Sequence, residues 1–103
     1  MPENKDLDAA KVSSKTHKTL FENDKVRVLE VTIEAGEKEP IHSHPYKSIT
    51  IVEKPSRIKY YDEDGNVLEE VEIEGVSWRE PMGLHAAENV GESVFKGYRI
   101  EMK

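Results

Sequence analysis

His42-Ser43-His44 and, about forty residues further on, Pro81-Met82-Gly83-Leu84-His85-Ala86-Ala87-Glu88-Asn89 decide how this chain is read. Three of its four histidines fall in these two segments, and β-like runs flank each segment. In an extended backbone, residues two apart share a face, so His42 and His44 aim their imidazoles the same way. His85 follows a hairpin and a turn, and an antiparallel strand can return it to the same interior. Three imidazoles gathered on a β scaffold make a site for a divalent transition metal.

The surrounding chain reads as short strands separated by turns. Thr19-Leu20-Phe21 runs into the polar turn Glu22-Asn23-Asp24. Val26-Arg27-Val28 alternates, and Leu29 to Ile33 alternates in the opposite phase, a slip of the kind a β-bulge produces. Ala35-Gly36-Glu37 is a turn, and Pro40 and Pro45 bracket the histidine pair. Ser48 to Val52 is β-branched, and Lys54-Pro55 ends it. Arg57 to Tyr61 and Val67 to Ile73 flank Asp62-Glu63-Asp64-Gly65-Asn66, a hairpin turn. Gly75 turns the chain again before Val76 to Glu80, Pro81 and Gly83 stop the strand ahead of His85, and Val94 to Met102 is a last strand. No stretch of a dozen residues has helical periodicity with caps. The expectation is an all-β fold of about eight to ten antiparallel strands. Residues 1–15 are polar and read as a mobile tail or short arm, and residues 16–103 as the one folded domain.

Composition narrows the partners. Charged residues make up 35% of the 103 and the mean hydropathy is −0.71. No apolar run approaches the roughly 18 residues that span a bilayer, and the first residues lack a secretory signal pattern. A cytoplasmic location is therefore expected. With no cysteine, any metal is left to His, carboxylate, hydroxyl or water. A net charge of −6 and a pI near 5.2 disfavour nucleic acid and anionic membranes as partners. A small molecule is the expected ligand.

Gly36, five residues, His42-x-His44, and later Gly75, five residues, Pro81-x-Gly83-x-His85, three residues, Asn89, together resemble the two motifs of the cupin superfamily, over residues from about 20 to 102. The resemblance implies a small jelly-roll β-barrel with a metal in its mouth, and carries over His42, His44 and His85 as ligands. Family activities range from dioxygenases and isomerases to storage and ligand-sensing proteins, so the resemblance narrows fold more than function. The chain departs from the pattern in three places. Ser48 and Ile49 stand where the motif has a glutamate ligand, Pro55 stands for a closing glycine, and a single residue, Leu84, separates Gly83 from His85. Glu80 and Glu88 flank His85 as alternative sources of a carboxylate.

The expected function is a metal-dependent enzyme, isomerase- or oxygenase-like, acting on a small polar organic molecule, with Fe, Mn, Ni, Co or Zn on the three histidines. The alternative is a non-catalytic ligand-binding or sensing module with a degenerate site. Tyr46, Ser48, Thr50, Tyr60 and Trp78 are the candidate pocket-lining residues. Asn89 is read as a turn-fixing residue, and His17, outside both motifs, as exposed. Edge strands that need covering point to a homodimer.

Overall fold

The computed structural model describes residues 7–103. A single helical turn, α1 (Ala9–Val12), precedes nine strands: β1 (His17–Glu22), β2 (Val26–Ile33), β3 (His42–His44), β4 (Lys47–Lys54), β5 (Ser56–Tyr61), β6 (Val67–Ile73), β7 (Val76–Arg79), β8 (Met82–Asn89) and β9 (Phe95–Met102). All strand pairings are antiparallel. One sheet has the order β1-β2-β9-β4-β7 and the other β3-β8-β5-β6. The all-β expectation holds, but the closed barrel does not: strand pairing stops at two separate sheets. The reason is that β3 and β7, which end their sheets, are only three and four residues long. No helix among the described residues is long and apolar enough to cross a membrane.

β2 and β9 set the interior. β2 buries Arg27, Leu29, Val31 and Ile33, and β9 buries Phe95, Gly97, Arg99 and Glu101. The register pairs Ile33 with Phe95, Val31 with Gly97, Leu29 with Arg99 and Arg27 with Glu101. The inner face thus passes from apolar to charged along one strand pair. At the apolar end, Val31, Ile33 and Phe95 pack on Ile58, Ile73 and Ala87 of the opposite sheet, each large side chain contributing roughly 1.5–3 kcal/mol.

The phase slip expected in β2 is absent, because the inward residue of Val26-Arg27-Val28 is the arginine. Arg27 Nε donates to Glu101 Oε1 at 2.6 Å and Nη2 to Asp8 Oδ1 at 2.9 Å. Burial opposes its charge, but the two carboxylates outweigh burial and raise its pKa. The irregularity lies instead in β1, between Thr19 and Phe21. The strand before His85 does stop ahead of Pro81, β7 ending at Arg79, whereas Gly83 lies inside β8, which begins at Met82.

Within the span read as tail or arm, residues 7–15 dock on the sheets; the rest of it lies outside the described residues. Asp8 caps α1 through the Ala10 amide, Ala9 and Ser13 are buried, and the Ser43 amide donates to Leu7 O at 2.8 Å. Asn89 is fully buried and uses both ends of its amide, taking bonds from Ser56 and Gly91 and giving them to Ile33 O and Ser93 O. Gly36 adopts φ 83°, as the turn before the histidine pair requires.

Replacing Arg27 by Ala strands two buried carboxylates, so urea unfolding should show a loss of roughly 3–5 kcal/mol. A change below about 0.5 kcal/mol, the scale of ordinary surface substitutions, would show that the ion triad is not what joins arm to sheet.

Candidate metal centre

Pro40 and Pro45 hold the chain between them extended, and β3 lies on β8 with His42 directly opposite His85. The two rings stand 4.5 Å apart, centroid to centroid. His44, two residues on, keeps the same face, 5.0 Å from His42 and 5.2 Å from His85. The spacing argument from sequence and the cross-strand register therefore meet at one place.

A fourth imidazole completes the group. His17, expected at the surface, is 3% exposed and stands 5.4 Å from both His42 and His44. It arrives from the other sheet, where its register partner on β2 is the inward-facing Val31. That pairing was the available signal: a strand laid against inward Leu29, Val31 and Ile33 turns His17 inward too. Ligand atoms of His17, His42 and His44 lie within 4.8 Å of one another. Two nitrogens on one transition-metal ion stand up to roughly 4.2 Å apart, so the spacing is close to what one ion requires.

The protonation pattern suits metal binding. His42 Nδ1 lies 2.7 Å from Pro40 O and His85 Nδ1 2.8 Å from Gly83 O. A carbonyl oxygen only accepts, so each Nδ1 carries the proton and each Nε2 keeps its lone pair. His17 Nδ1 faces the Glu39 carboxylate at 3.1 Å, which fixes the same tautomer. His44 Nδ1 is buried and has no hydrogen-bond partner among the described residues. Burial lowers the pKa of His42, lowers that of His44 well below its usual value, and lowers that of His85 to about 4. These three rings are neutral near pH 7, as ligands must be.

A carboxylate does stand beside the cluster, though away from the usual motif position. Glu39, which the sequence reading passed over, is 4% exposed and takes hydrogen bonds from Ser13, Thr16 and His17. Its other oxygen is 3.9 Å from His42 Nε2. Burial pushes its pKa up, but His17, His42 and Thr16 prevail and hold it at about 2. Glu80 and Glu88 do not enter the cluster. Glu80 receives the Trp78 indole N–H, and Glu88 the Tyr61 hydroxyl at 2.6 Å.

The histidines open onto a cavity of ≈ 550 Å³ including its mouth. Of the candidate lining residues, Thr50 and Tyr60 are on its wall, and Tyr46, Ser48 and Trp78 are not. Tyr46 lies under the Arg27 guanidinium, Ser48 is buried beneath the wall, and Trp78 is 53% exposed on the edge strand β7. Three residues unforeseen in the sequence, Glu39, Arg79 and Arg99, share the wall.

Solved structures share this architecture. A cupin domain from Bordetella pertussis Tohama I superposes with a TM-score of 0.73 at 18% identity, over 84% of this chain and 91% of that one. The chain has the cupin fold. An RmlC-like cupin with a double-stranded β-helix fold from Methanocaldococcus jannaschii gives 0.65 at 13% identity, over 84% and 77%. A DMSP lyase from Ruegeria pomeroyi DSS-3 gives 0.57 at 17%, over 79% of this chain and 40% of the lyase. No family model and no curated protein matches the sequence. Similarity at these identities establishes the fold and leaves the activity of this chain to its own residues.

Buried imidazoles with depressed pKa values bind fewer protons than the unfolded chain does. Their contribution to stability is complete above about pH 6.5 and is lost as pH falls toward the folded values. For the metal-free protein, His85 alone should cost on the order of 3 kcal/mol between pH 7 and 4. Melting temperature against pH checks this, and His85→Gln should flatten the acid limb. An identical acid limb in that variant would contradict the assignment.

Proposed function

We propose that this cupin is a metal-dependent enzyme acting on a small polar organic molecule, by Lewis-acid isomerisation or by oxygenation. The observation that carries the reading is the set of four inward imidazoles, of which His17, His42 and His85 have Nδ1 held by a fixed oxygen. His42, His44 and His85 are the proposed ligands of a divalent ion such as Fe, Mn, Ni, Co or Zn, and His17 is a fourth imidazole within reach. The ion would supply Lewis acidity and open coordination positions for ligand oxygens. Glu39 orients His17 and offsets positive charge at the site. Burial raises the pKa of Tyr60, so its phenol stays protonated as a hydrogen-bond donor on the cavity wall. Val31, Ile33 and Phe95 close the inner end with apolar surface that excludes water. The Ruegeria neighbour is a lyase by name, which lends this reading support by analogy of fold only.

Purified protein should carry close to one equivalent of transition metal. His42→Ala combined with His44→Ala should reduce that to near zero with the β-sheet circular dichroism unchanged. One-to-one metal retained in the double variant refutes the ligand assignment. Metal that binds without turnover across a substrate screen would make the protein a binding module instead.

We also propose a homodimer built on the β7 edge. Val76 is 71% and Trp78 53% exposed, and Val76 pairs across to Ile51, itself 38% exposed. Light scattering should give twice the 11.8 kDa chain mass, and Trp78→Glu should give the monomer. A monomeric wild type rules this out.

A further inference from the structure

The two buried arginines differ in how their charge is met. Arg27 is enclosed by two carboxylates, whereas Arg99, 9% exposed, forms no ion pair among the described residues. Its Nη2 donates to Ser48 Oγ at 3.0 Å, but its Nε has no partner. Glu101, two residues along β9 on the same face, gives one oxygen to Arg27; its other oxygen is buried and unpartnered, and its charge favours Arg99 without an ion-pair contact. Thr50 sits directly opposite Arg99 across the β4–β9 pair, and its hydroxyl is likewise buried and unpartnered. Both residues line the histidine cavity, as does Arg79, a second cation without an ion pair among the described residues. Of the four buried polar side-chain atoms lacking partners, three, on His44, Thr50 and Arg99, belong to this wall.

A buried guanidinium without a paired carboxylate is costly, and unpaired donors on the residues of a cavity wall are what a bound anion can satisfy. We propose that Arg99 and Thr50 form an anion subsite that holds the carboxylate of a small organic acid, with the rest of the molecule directed at the histidine cluster. This deepens the preceding reading, on which it rests for the role of the histidines, by naming its substrate class. Nε–H and the threonine hydroxyl offer two adjacent donors, a match for the two oxygens of one carboxylate. Ser48 fixes the far end of the guanidinium and is thereby a positioning residue. Gly97, on the same wall, lets β9 pack closely on β4: a Cβ there would approach Ile51 O to 2.9 Å.

The test is a titration of the full chain, metal-free and metal-loaded, with acetate, lactate and benzoate against acetamide, lactamide and benzamide, and with inorganic phosphate. The Arg99 Nε–H resonance reports directly on the subsite. At least one acid should bind tenfold or more tighter than its amide and shift that resonance. Arg99→Gln and Thr50→Val should each reduce the preference at least fivefold, and Arg99→Lys should keep part of it. A preference that persists in metal-free protein supports the subsite even if the metal assignment fails. No acid preferred over its amide, a preference unchanged in Arg99→Gln and Thr50→Val, or phosphate binding tighter than every carboxylate would each overturn the proposal.

Discussion

A carboxylate buried without donors around it does not stay ionised, and the surrounding fold answers to that requirement at Glu39. Its donors come from three places: Ser13 after the helical turn, Thr16 at the mouth of β1, and His17 on β1 itself. Meeting one charge therefore docks the arm, locates the first strand and turns His17 toward the histidines of the other sheet. Removing any of these donors leaves the same cost at the same place, so arm, strand and cluster stand or fall together.

The second constraint is the gradient along β2 and β9. Apolar contacts join the two sheets at the Ile33–Phe95 end, whereas at the Arg27–Glu101 end ion pairs tie neighbouring strands of one sheet to each other and to the arm. Between them the pairing of Leu29 with Arg99 marks the change, and there the cavity opens. A small domain has limited apolar area to bury, and this one gives part of its interior to polar groups. Those with partners, such as Arg27 and Asn89, serve the fold. Those without, such as His44 Nδ1 and Arg99 Nε, belong to residues of the cavity wall, where a ligand is one way to satisfy them.

The electrostatics of the cavity run against those of the whole chain. The net charge of −6 disfavours anions in general, yet the wall carries Arg79 and Arg99 against a single carboxylate, Glu39. Local fields in a cleft with low-dielectric walls outweigh a screened surface charge. Burial keeps His42, His44 and His85 neutral, so these three rings add no positive charge to the wall.

Period-two geometry and turn chemistry are local, and for that reason the chain announced them. The strand character of most segments, the Asp62–Asn66 hairpin, the inward pairing of His42 with His44 and the turn-fixing role of Asn89 all follow from neighbours in sequence. The residues that sequence reading missed share a different origin. The alternation of Val26-Arg27-Val28 does not reveal an inward Arg27, because its partners, Asp8 and Glu101, lie 19 and 74 positions away. His17 and Glu39 belong to neither motif, and they meet only because two sheets close on one another. Barrel closure was likewise not written in any single strand, since it depends on edge lengths and on the pairing of β3 and β7. The sequence alone thus determined which side chains share a face. Only the tertiary structure decided which faces meet, because register between distant strands is selected by burying the whole interior at once.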